Sequence, residues 1–235
     1  MEKERMPSSG IAIVPSDLRS QFLDGLHPSH RKTILSAATP RRFSANSVAT
    51  NQGHPADYFF LLTKGSARYF FVTDDGKKLL LRWLGPGDAF GGRTVLSSRS
   101  SYLVSTEMIT DSSALAWDRA TIRSLAERFP RLLENALLMA SDYVAWNLTA
   151  HIGLVCLTAR QRVAQVLITL GRTIGKETAG GIVLDITNED LANAANVTSF
   201  TTSRLISEWQ RNGALVKRRG KVLLRSSERL FLRTV

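Results

Sequence analysis

The sequence predicts an α+β protein: an N-terminal antiparallel β jelly roll, a long dimerisation helix and a C-terminal winged helix-turn-helix. Three observations predict this order. Short β-rich segments separated by Gly and Asp turns fill the stretch from Arg41 to Trp117. A helical period of apolar residues is sustained after Pro130. Two short amphipathic helices then meet at Asn196, and two basic strand-like segments follow them.

The jelly roll is predicted by the strand-like segments DYFFLLT, SARYFFVT, KKLLLRWL and SALAW. They are separated by NQGHP, KG, DDGK and GPGD, which are typical of turns. Several short strands at close, regular spacing are typical of an antiparallel barrel or sandwich. We therefore expect a flexible N-terminal arm over 1–17 and a jelly-roll domain with flanking helices over 18–129.

The long helix is predicted over 130–157, because Pro130 suits a first helical turn. Seven residues at alternating spacings of four and three form a seam of coiled-coil type. The seam consists of Leu133, Leu137, Ala140, Val144, Asn147, His151 and Leu154. A parallel dimer explains such a long seam, and Asn147 would fix its register. The alternative is that this face packs on the chain's own jelly roll.

The remaining residues, 158–235, are predicted to form the winged helix-turn-helix. Thr187 and Asp190 have the spacing of a capping box, and Asn196 suits a left-handed turn. Thr198 is then a plausible cap for a second helix. The buried face of that helix would carry Leu205, Ile206 and Trp209.

Charge indicates the partner of this C-terminal part. The 235 residues carry a formal net charge of +11, which favours a polyanion such as nucleic acid or an anionic membrane surface. From Ser199 onwards there are nine basic residues and only two acidic ones, Glu208 and Glu228. A solvated surface is the alternative, but the cluster overlaps the helix-turn-helix. Double-stranded DNA is the partner we expect.

The second helix begins with several hydroxyl side chains, which suit phosphate contacts, and Arg204 has the geometry to bind guanine. Two strands around Arg219-Gly220 would form a wing that brings Lys217 and its neighbours to the phosphates. The expected DNA-binding residues are Thr187, Ser199, Phe200, Thr201, Thr202, Ser203, Arg204, Arg218, Arg219 and Lys221.

These segments in this order resemble the Crp/Fnr superfamily of bacterial transcription regulators. The resemblance also rests on DDGKKLLLRWLGPGDAFGG and TARQRVAQVLITLG, and it covers nearly the whole chain from about Leu18. It implies a homodimer whose jelly roll binds an effector and whose winged domains bind a palindromic operator. It also implies RNA polymerase as a partner if the protein is an activator. In the recognition helix, Ser203 and Arg204 match the family's Glu-x-x-Ser-Arg pattern, whereas Phe200 replaces the glutamate.

The effector site departs further from the resemblance. Relatives that bind cyclic nucleotides carry Gly-Glu after the PGDxF segment and Arg-Ser about ten residues later. Here those positions match Gly91-Gly92 and Tyr102-Leu103, with Arg99-Ser100 nearby at a shorter spacing. We therefore expect an effector other than a cyclic nucleotide. The predicted effector pocket consists of Gly91, Gly92, Arg93, Tyr102, Leu103, Asn147 and His151.

The sequence does not identify a cofactor. The single cysteine, Cys156, does not suffice for an iron–sulfur cluster or an internal disulfide, and we expect it to be buried. Haem-dependent relatives exist, so His27, His30, His54 and His151 remain candidate ligands, each more simply a packing or surface residue. We expect no metal site. Control by abundance without any ligand is a further alternative.

Other classes of function fit less well. A jelly-roll enzyme of the cupin type needs clustered histidines, and the predicted strands between Arg68 and Trp117 contain none, so we expect no enzyme. A small-molecule-binding or scaffold module would show no salt-dependent DNA affinity. The polar start and the absence of an apolar run of about 18 residues predict a cytoplasmic protein with no membrane span.

Overall fold

The computed structural model describes residues 18–96 and 100–231 and confirms the predicted α+β fold. The predicted arm over 1–17 and Arg99 lie outside the described residues. Helices α1 to α4 are Pro28–Ser36, Arg93–Leu96, Arg119–Arg128 and Pro130–Cys156. Strands β1 to β8 are Thr39–Phe43, Val48–Thr50, Tyr58–Lys64, Ala67–Val72, Lys78–Leu84, Ala89–Phe90, Ser105–Met108 and Ser112–Asp118.

The jelly roll consists of two four-stranded antiparallel sheets, ordered β1-β8-β3-β6 and β2-β7-β4-β5. The side chains between the two sheets form one buried cluster, in which Phe60 and Phe90 stack at 4.7 Å between ring centroids. Phe59 and Trp117 lie on the other face of β3 and β8 and belong to a second cluster, packed against the helices. The indole of Trp117 donates to the carbonyl oxygen of Ile34 over 2.9 Å, which ties α1 to the sheet.

The helix α4 begins with Pro130 at its first turn, as predicted. Its buried Asn135 donates through Nδ2 to the carbonyl oxygens of Phe22 and Asp24, at 3.0 and 2.9 Å. These bonds attach the start of α4 to the short 3₁₀ turn Gln21–Leu23 of the jelly-roll domain. From Leu137 onwards the helix extends beyond that attachment with much of its apolar surface exposed.

The winged module, residues 158–231, contains α5 (Ala159–Thr173), α6 (Asn188–Ala195) and α7 (Ser199–Arg211). Its four strands are β9 (Lys176–Thr178), β10 (Gly181–Asp185), β11 (Leu215–Arg218) and β12 (Lys221–Leu224). They form one antiparallel sheet in the order β11-β12-β10-β9. The three helices pack around the fully buried Trp209, whose indole donates to the carbonyl oxygen of Leu230 over 2.9 Å.

The predicted seam of α4 lies only partly on its exposed face. Leu133, Leu137, Val144, His151 and Leu154 are exposed in the single chain. Ala140 instead lines a cavity against the jelly roll, and Asn147 is half-buried and donates to the carbonyl oxygen of Tyr143 in its own helix. Leu148 and Val155, which the spacing missed, are 59% and 74% exposed. The exposed apolar stripe therefore shares Leu133, Leu137, Val144 and Leu154 with the predicted seam and also includes Leu148 and Val155.

Cys156, expected to be buried, is exposed at the end of α4. The expectation was wrong because the exposed apolar stripe continues to Val155, so apolar neighbours in the sequence do not indicate burial here. No helix within the described residues is long and apolar enough to cross a membrane.

Candidate nucleic-acid interface and effector cavity

The N-terminal end of α7 presents a small polar face to solvent. Thr198 caps the helix, because its Oγ1 accepts from the main-chain N–H of Thr201 over 3.1 Å. Ser199, Ser203 and Arg204 are exposed, and Phe200 is 79% exposed. Free N–H groups of a first helical turn together with hydroxyl side chains suit a phosphate. The exposed guanidinium of Arg204 is then placed one turn further along the same face.

Thr202 does not belong to this face. Its side chain is fully buried, and its Oγ1 has no hydrogen-bond partner among the described residues. The prediction that Thr202 contacts DNA was wrong, because position 202 shares the inward face of α7 with Leu205, Ile206 and Trp209.

The first helix of the pair supports the second. Thr187 and Asp190 form the predicted capping box, with each side chain bonded to the other residue's main-chain N–H. One residue on, the amide Nδ2 of Asn188 donates to Ser203 Oγ over 3.1 Å. Since Ser203 is exposed on α7, this bond orients a hydroxyl of the candidate DNA-facing surface.

The turn between α6 and α7 has the predicted left-handed residue, Asn196, with φ of 49°. Its geometry is held from α5 by Arg162. The guanidinium donates to the carbonyl oxygens of Ala195 at 2.8 Å and Asn196 at 3.2 Å. It also donates to the carbonyl oxygen of Leu157, at the end of α4, over 2.8 Å. One side chain therefore joins the end of the long helix to the turn.

The wing is formed by β11 and β12, which turn at Arg219-Gly220, where Gly220 has φ of 69°. Arg218, Arg219 and Lys221 are exposed, and the ammonium of Lys221 lies 3.4 Å from the carboxylate of Asp185. They extend the positive surface beside α7.

Lys217 differs from its neighbours in the wing. Its Nζ donates to the carbonyl oxygen of Ile186 over 3.1 Å. Burial lowers the pKa of Lys217, an effect that the charge of Asp190 partly offsets. The expectation that Lys217 lies near phosphates stays a prediction, with one of its three donors already bonded within the module.

A cavity of about 250 Å³ lies between the jelly roll and α4. It brings together five residues of the predicted effector pocket, which are Gly91, Gly92, Arg93, Tyr102 and Leu103. Asn147 and His151, predicted to complete it, do not line it. They were misplaced because the inward face of α4 is turned differently from the predicted seam. The helix residues that line the cavity are Ala136, Met139, Ala140, Asp142 and Tyr143.

The charged groups of the cavity are already engaged with one another or with polar neighbours. Arg82 lies 3.5 Å from Asp88, and Asp142 accepts from Gln21 over 2.6 Å. Arg93 donates to the carbonyl oxygen of Ser101 over 3.3 Å and has further donors to offer. The remaining lining is mostly apolar and aromatic.

Two phenols in the lining are held in their neutral form. Burial raises the pKa of Tyr69 far above its ordinary value. Burial also raises the pKa of Tyr102, although the main-chain N–H of Tyr58, which donates to the phenol oxygen over 3.1 Å, acts in the opposite direction. Both phenols are therefore protonated donors at neutral pH.

The strand residues of this lining were missed by sequence reasoning, although a signal existed. In SARYFFVT, Tyr69 follows the charged Arg68, and in KKLLLRWL the charged Arg82 lies between two apolar residues, so neighbouring side chains differ in polarity. The inward direction of Tyr69 and Arg82 follows only once the pairing of β4 with β5 is known.

The four histidines, all within the described part of the chain, do not line the cavity. His27 caps α1 and contacts Ser29 Oγ at 2.7 Å, and His30 lies 4.7 Å from the ring of Phe129. His54 and His151 are exposed. The described residues contain no group of three or more His, Cys, Asp or Glu side chains that could hold a metal ion.

Comparison with known proteins gives two family matches. Residues 40–129 match the cyclic nucleotide-binding domain, and residues 161–231 match the Crp-like helix-turn-helix domain. A CRP-like cAMP-activated global transcriptional regulator of Mycobacterium tuberculosis is 24% identical, covering 92% of this chain and 96% of the relative.

A Cyclic AMP receptor protein of Thermus thermophilus is 28% identical, covering 88% of this chain and 94% of the relative. The structure of FixK2 from Bradyrhizobium japonicum matches with a TM-score of 0.72 at 23% identity, covering 82% of this chain and 95% of that one. The last of these shows likeness of fold alone.

Proposed function

The chain belongs to the Crp/Fnr family of transcription regulators, and from this premise we propose that it acts as a homodimer on a palindromic operator. We further propose that the cavity beside α4 receives an effector other than a cyclic nucleotide. The observation that carries the DNA-binding part is the exposed N-terminal face of α7, with Ser203 and Arg204, beside the basic wing.

Dimerisation through α4 is supported by its exposed apolar stripe, which includes Leu137 at 55%, Val144 at 66% and Leu148 at 59% exposure. An isolated helix face of this kind is stabilised when a second copy covers it. The two winged modules of a dimer would then contact half-sites about 34–36 Å apart, one turn of DNA.

The dimer is tested by light scattering on Val144→Glu. A charge buried at the centre of the stripe is expected to give monomers, because an unpaired charge in an apolar interface is unfavourable. Thr149→Glu adds the same charge to an exposed position on the opposite side of α4 and should remain dimeric. A monomeric wild type, or a dimeric Val144→Glu variant, contradicts the proposal.

DNA binding is tested by selecting binding sites from random duplexes with the purified chain. We expect a palindrome whose affinity falls steeply with salt, because phosphate contacts release counterions. Arg204→Ala should weaken operator binding by about 1–3 kcal/mol and relax the choice of one base pair. Arg42→Ala, which removes an exposed arginine of β1, is the matched control. Absence of duplex binding at low salt favours a scaffold module instead.

An effector other than a cyclic nucleotide is supported by the chemistry of the cavity. At the positions where the relatives carry Gly-Glu and Arg-Ser, Gly92 supplies no carboxylate for a ribose hydroxyl, and Tyr102 and Leu103 supply no cation for a phosphate. Arg93 lines the cavity outside those positions. The Arg82–Asp88 contact leaves neither charge free of an opposite one. Titration calorimetry with cyclic AMP and cyclic GMP should give no binding in the micromolar range, and binding there would overturn this part. Mass spectrometry of molecules that co-purify with the chain identifies the alternative.

A further inference from the structure

The antiparallel strands β4 and β5 form a ribbon, and two neighbouring cross-strand pairs in it face opposite sides. One pair faces the cavity and the other faces the winged module. Arg68 lies opposite Trp83, and the next pair is Tyr69 opposite Arg82. Because side chains alternate along a strand, the two pairs face opposite sides of the sheet. Tyr69 and Arg82 line the cavity, whereas Trp83 is 7% exposed and belongs to the buried core of the winged module.

Arg68 binds the winged module through an ion pair. Its Nη1 lies 2.6 Å from the carboxylate of Asp190 in α6, and its Nε lies 2.7 Å from Glu107 in β7. Lys78 also contacts Glu107, at 2.8 Å, so the carboxylate holds two cations in place. The guanidinium is about a quarter exposed, which reduces screening of the pair by solvent. Asp190 also belongs to the capping box of α6 with the N-cap residue Thr187, so Arg68 bonds directly to the first helix of the helix-turn-helix.

Backbone contact completes this docking surface of Arg68, Trp83 and Gly85, which we call the seat of the winged module. A Cβ added to Gly85, just after β5, would lie 2.4 Å from the carbonyl oxygen of Thr173 at the end of α5. Only glycine permits that approach. The main-chain N–H of Gly85 donates to Asp88 over 2.8 Å, and Asp88 itself lines the cavity. A single hydrogen bond thus links Gly85, which contacts α5, to the charged Asp88 of the cavity.

The docked arrangement leaves the candidate DNA-facing side of α7 free. Phe200 is 79% exposed while the module is seated on the ribbon, and Ser203 and Arg204 are exposed as well. A module whose direction is fixed in advance loses less freedom when it binds DNA, and this matters most when two modules must bind together.

We propose that Arg68, Trp83 and Gly85 are positioning residues that fix the winged module for operator binding, and that Tyr69 and Arg82 connect this seat to the cavity. This inference rests on the proposed function. Arg82 and Trp83 are adjacent in β5, and their cross-strand partners Tyr69 and Arg68 are adjacent in β4. An occupant of the cavity that moves the ribbon would therefore change the direction of α7.

The test compares a duplex carrying both selected half-sites with a duplex carrying one. Arg68→Gln should weaken binding to the two-site duplex about tenfold, a typical coupling between sites, and leave the one-site duplex within about twofold. A variant that merely damaged the module would weaken both. Arg68→Lys should recover part of the loss, and Arg42→Gln, with the same change of charge, should show none.

Gly85→Ala tests the seat without changing charge. The added methyl must separate the module from β5, so the same selective loss is expected, whereas Gly180→Ala, whose Cβ meets only Leu223 at 3.8 Å, should behave as wild type. Arg82→Gln touches the cavity side alone and should lower the two-site preference at least about threefold. Equal losses on both duplexes overturn the positioning role, as does tighter binding by Arg68→Gln. An unchanged preference in Arg82→Gln overturns the route through the ribbon.

A measurement without DNA separates this inference from the proposed function. Strand β5 is at the edge of its sheet, so one row of its amides has no strand partner, and its Leu80 and Trp83 side chains pack against the docked module. Hydrogen exchange in peptides covering Lys78–Leu84 should become about fivefold faster, or more, in Arg68→Gln and Gly85→Ala. Unchanged exchange contradicts docking, whereas a wild type without preference for two half-sites contradicts only the dimeric operator.

Discussion

Arg162 donates a hydrogen bond from its guanidinium to the carbonyl oxygen of Asn196, over 3.2 Å, at the turn of the helix-turn-helix. The same group donates to Ala195 and Leu157, each at 2.8 Å. The left-handed backbone of Asn196 ends α6, and the planar guanidinium of Arg162 donates to two carbonyl oxygens at this turn and to one at the end of α4.

Replacing that guanidinium should destabilise the winged module. Arg162→Met leaves three carbonyl oxygens without their donor, and we expect a loss of about 2–4 kcal/mol in the free energy of unfolding. Urea denaturation followed by circular dichroism measures it. Arg172→Met, an exposed arginine in the last turn of the same helix, should cost less than about 1 kcal/mol. Similar losses for the two variants would show that the three bonds contribute little.

Phe200 determines a base preference in the proposed operator. Its exposed ring offers only apolar contact, which suits a thymine methyl, whereas the family's glutamate would accept from cytosine N4. Phe200→Glu should therefore shift the selected half-site towards cytosine at that position, with a preference of about 1–3 kcal/mol. Binding-site selection on both proteins measures the shift. Recovery of the same half-site by both would refute the assignment, and Arg204's guanine should remain in each.

Thr202 should be dispensable for DNA contact. Its buried Oγ1 lacks a partner among the described residues, so Thr202→Val removes an unsatisfied hydroxyl at nearly constant shape. We expect unchanged operator affinity and a stability that is equal or raised by up to about 1 kcal/mol. Thr201→Val is the contrasting variant, because Thr201 bonds to the cap residue Thr198 at 2.9 Å. A marked loss of DNA affinity in Thr202→Val would reinstate the original prediction.

Acid should weaken the seat of the winged module through Glu107. Burial alone would raise the pKa of this carboxyl, but the bonds from Lys78 and Arg68 outweigh it and hold the pKa below its ordinary value. A carboxyl with a lowered pKa in the folded state stabilises the protein above its unfolded pKa, here about 4.5. That contribution is lost as the pH falls through the folded value.

The melting temperatures of wild type and Glu107→Gln, measured between pH 3 and pH 7, provide the check. The difference between them should be largest at neutral pH and shrink as the pH falls below about 4.5 towards the lower pKa of the folded state, where the wild-type carboxyl becomes protonated. A constant difference over this range would mean that the ionised form of Glu107 contributes nothing.

Local chemistry was predictable from the sequence, because caps and turns are set by near neighbours. The capping box of Thr187 and Asp190, the left-handed Asn196, the cap Thr198 and the buried Trp209 all lie where their spacing predicted. The caps and the turn depend on bonds within a few residues of the chain, and the burial of Trp209 follows from the apolar period of α7.

The buried and exposed faces of the long helix α4 were harder to predict from the sequence. Spacing along α4 fits two adjacent stripes, and long-range contacts decide which one faces the jelly roll, namely the bonds of Asn135 to Phe22 and Asp24 and the packing of Leu132 and Ala136. Ala140 and Asn147 were misplaced for this reason. The seat of the winged module depends on distant pairings such as that of Arg68 with a carboxylate 122 residues further along the chain, and no local pattern reveals them.

The close approach at Gly85 restricts how this protein is recombined with its relatives. A winged module grafted onto a foreign jelly roll meets whatever side chain stands at the corresponding corner, and any Cβ there strikes the oxygen of Thr173. A functional hybrid therefore requires a glycine at the position of Gly85 in the receiving jelly roll, together with the surface that faces the end of α5.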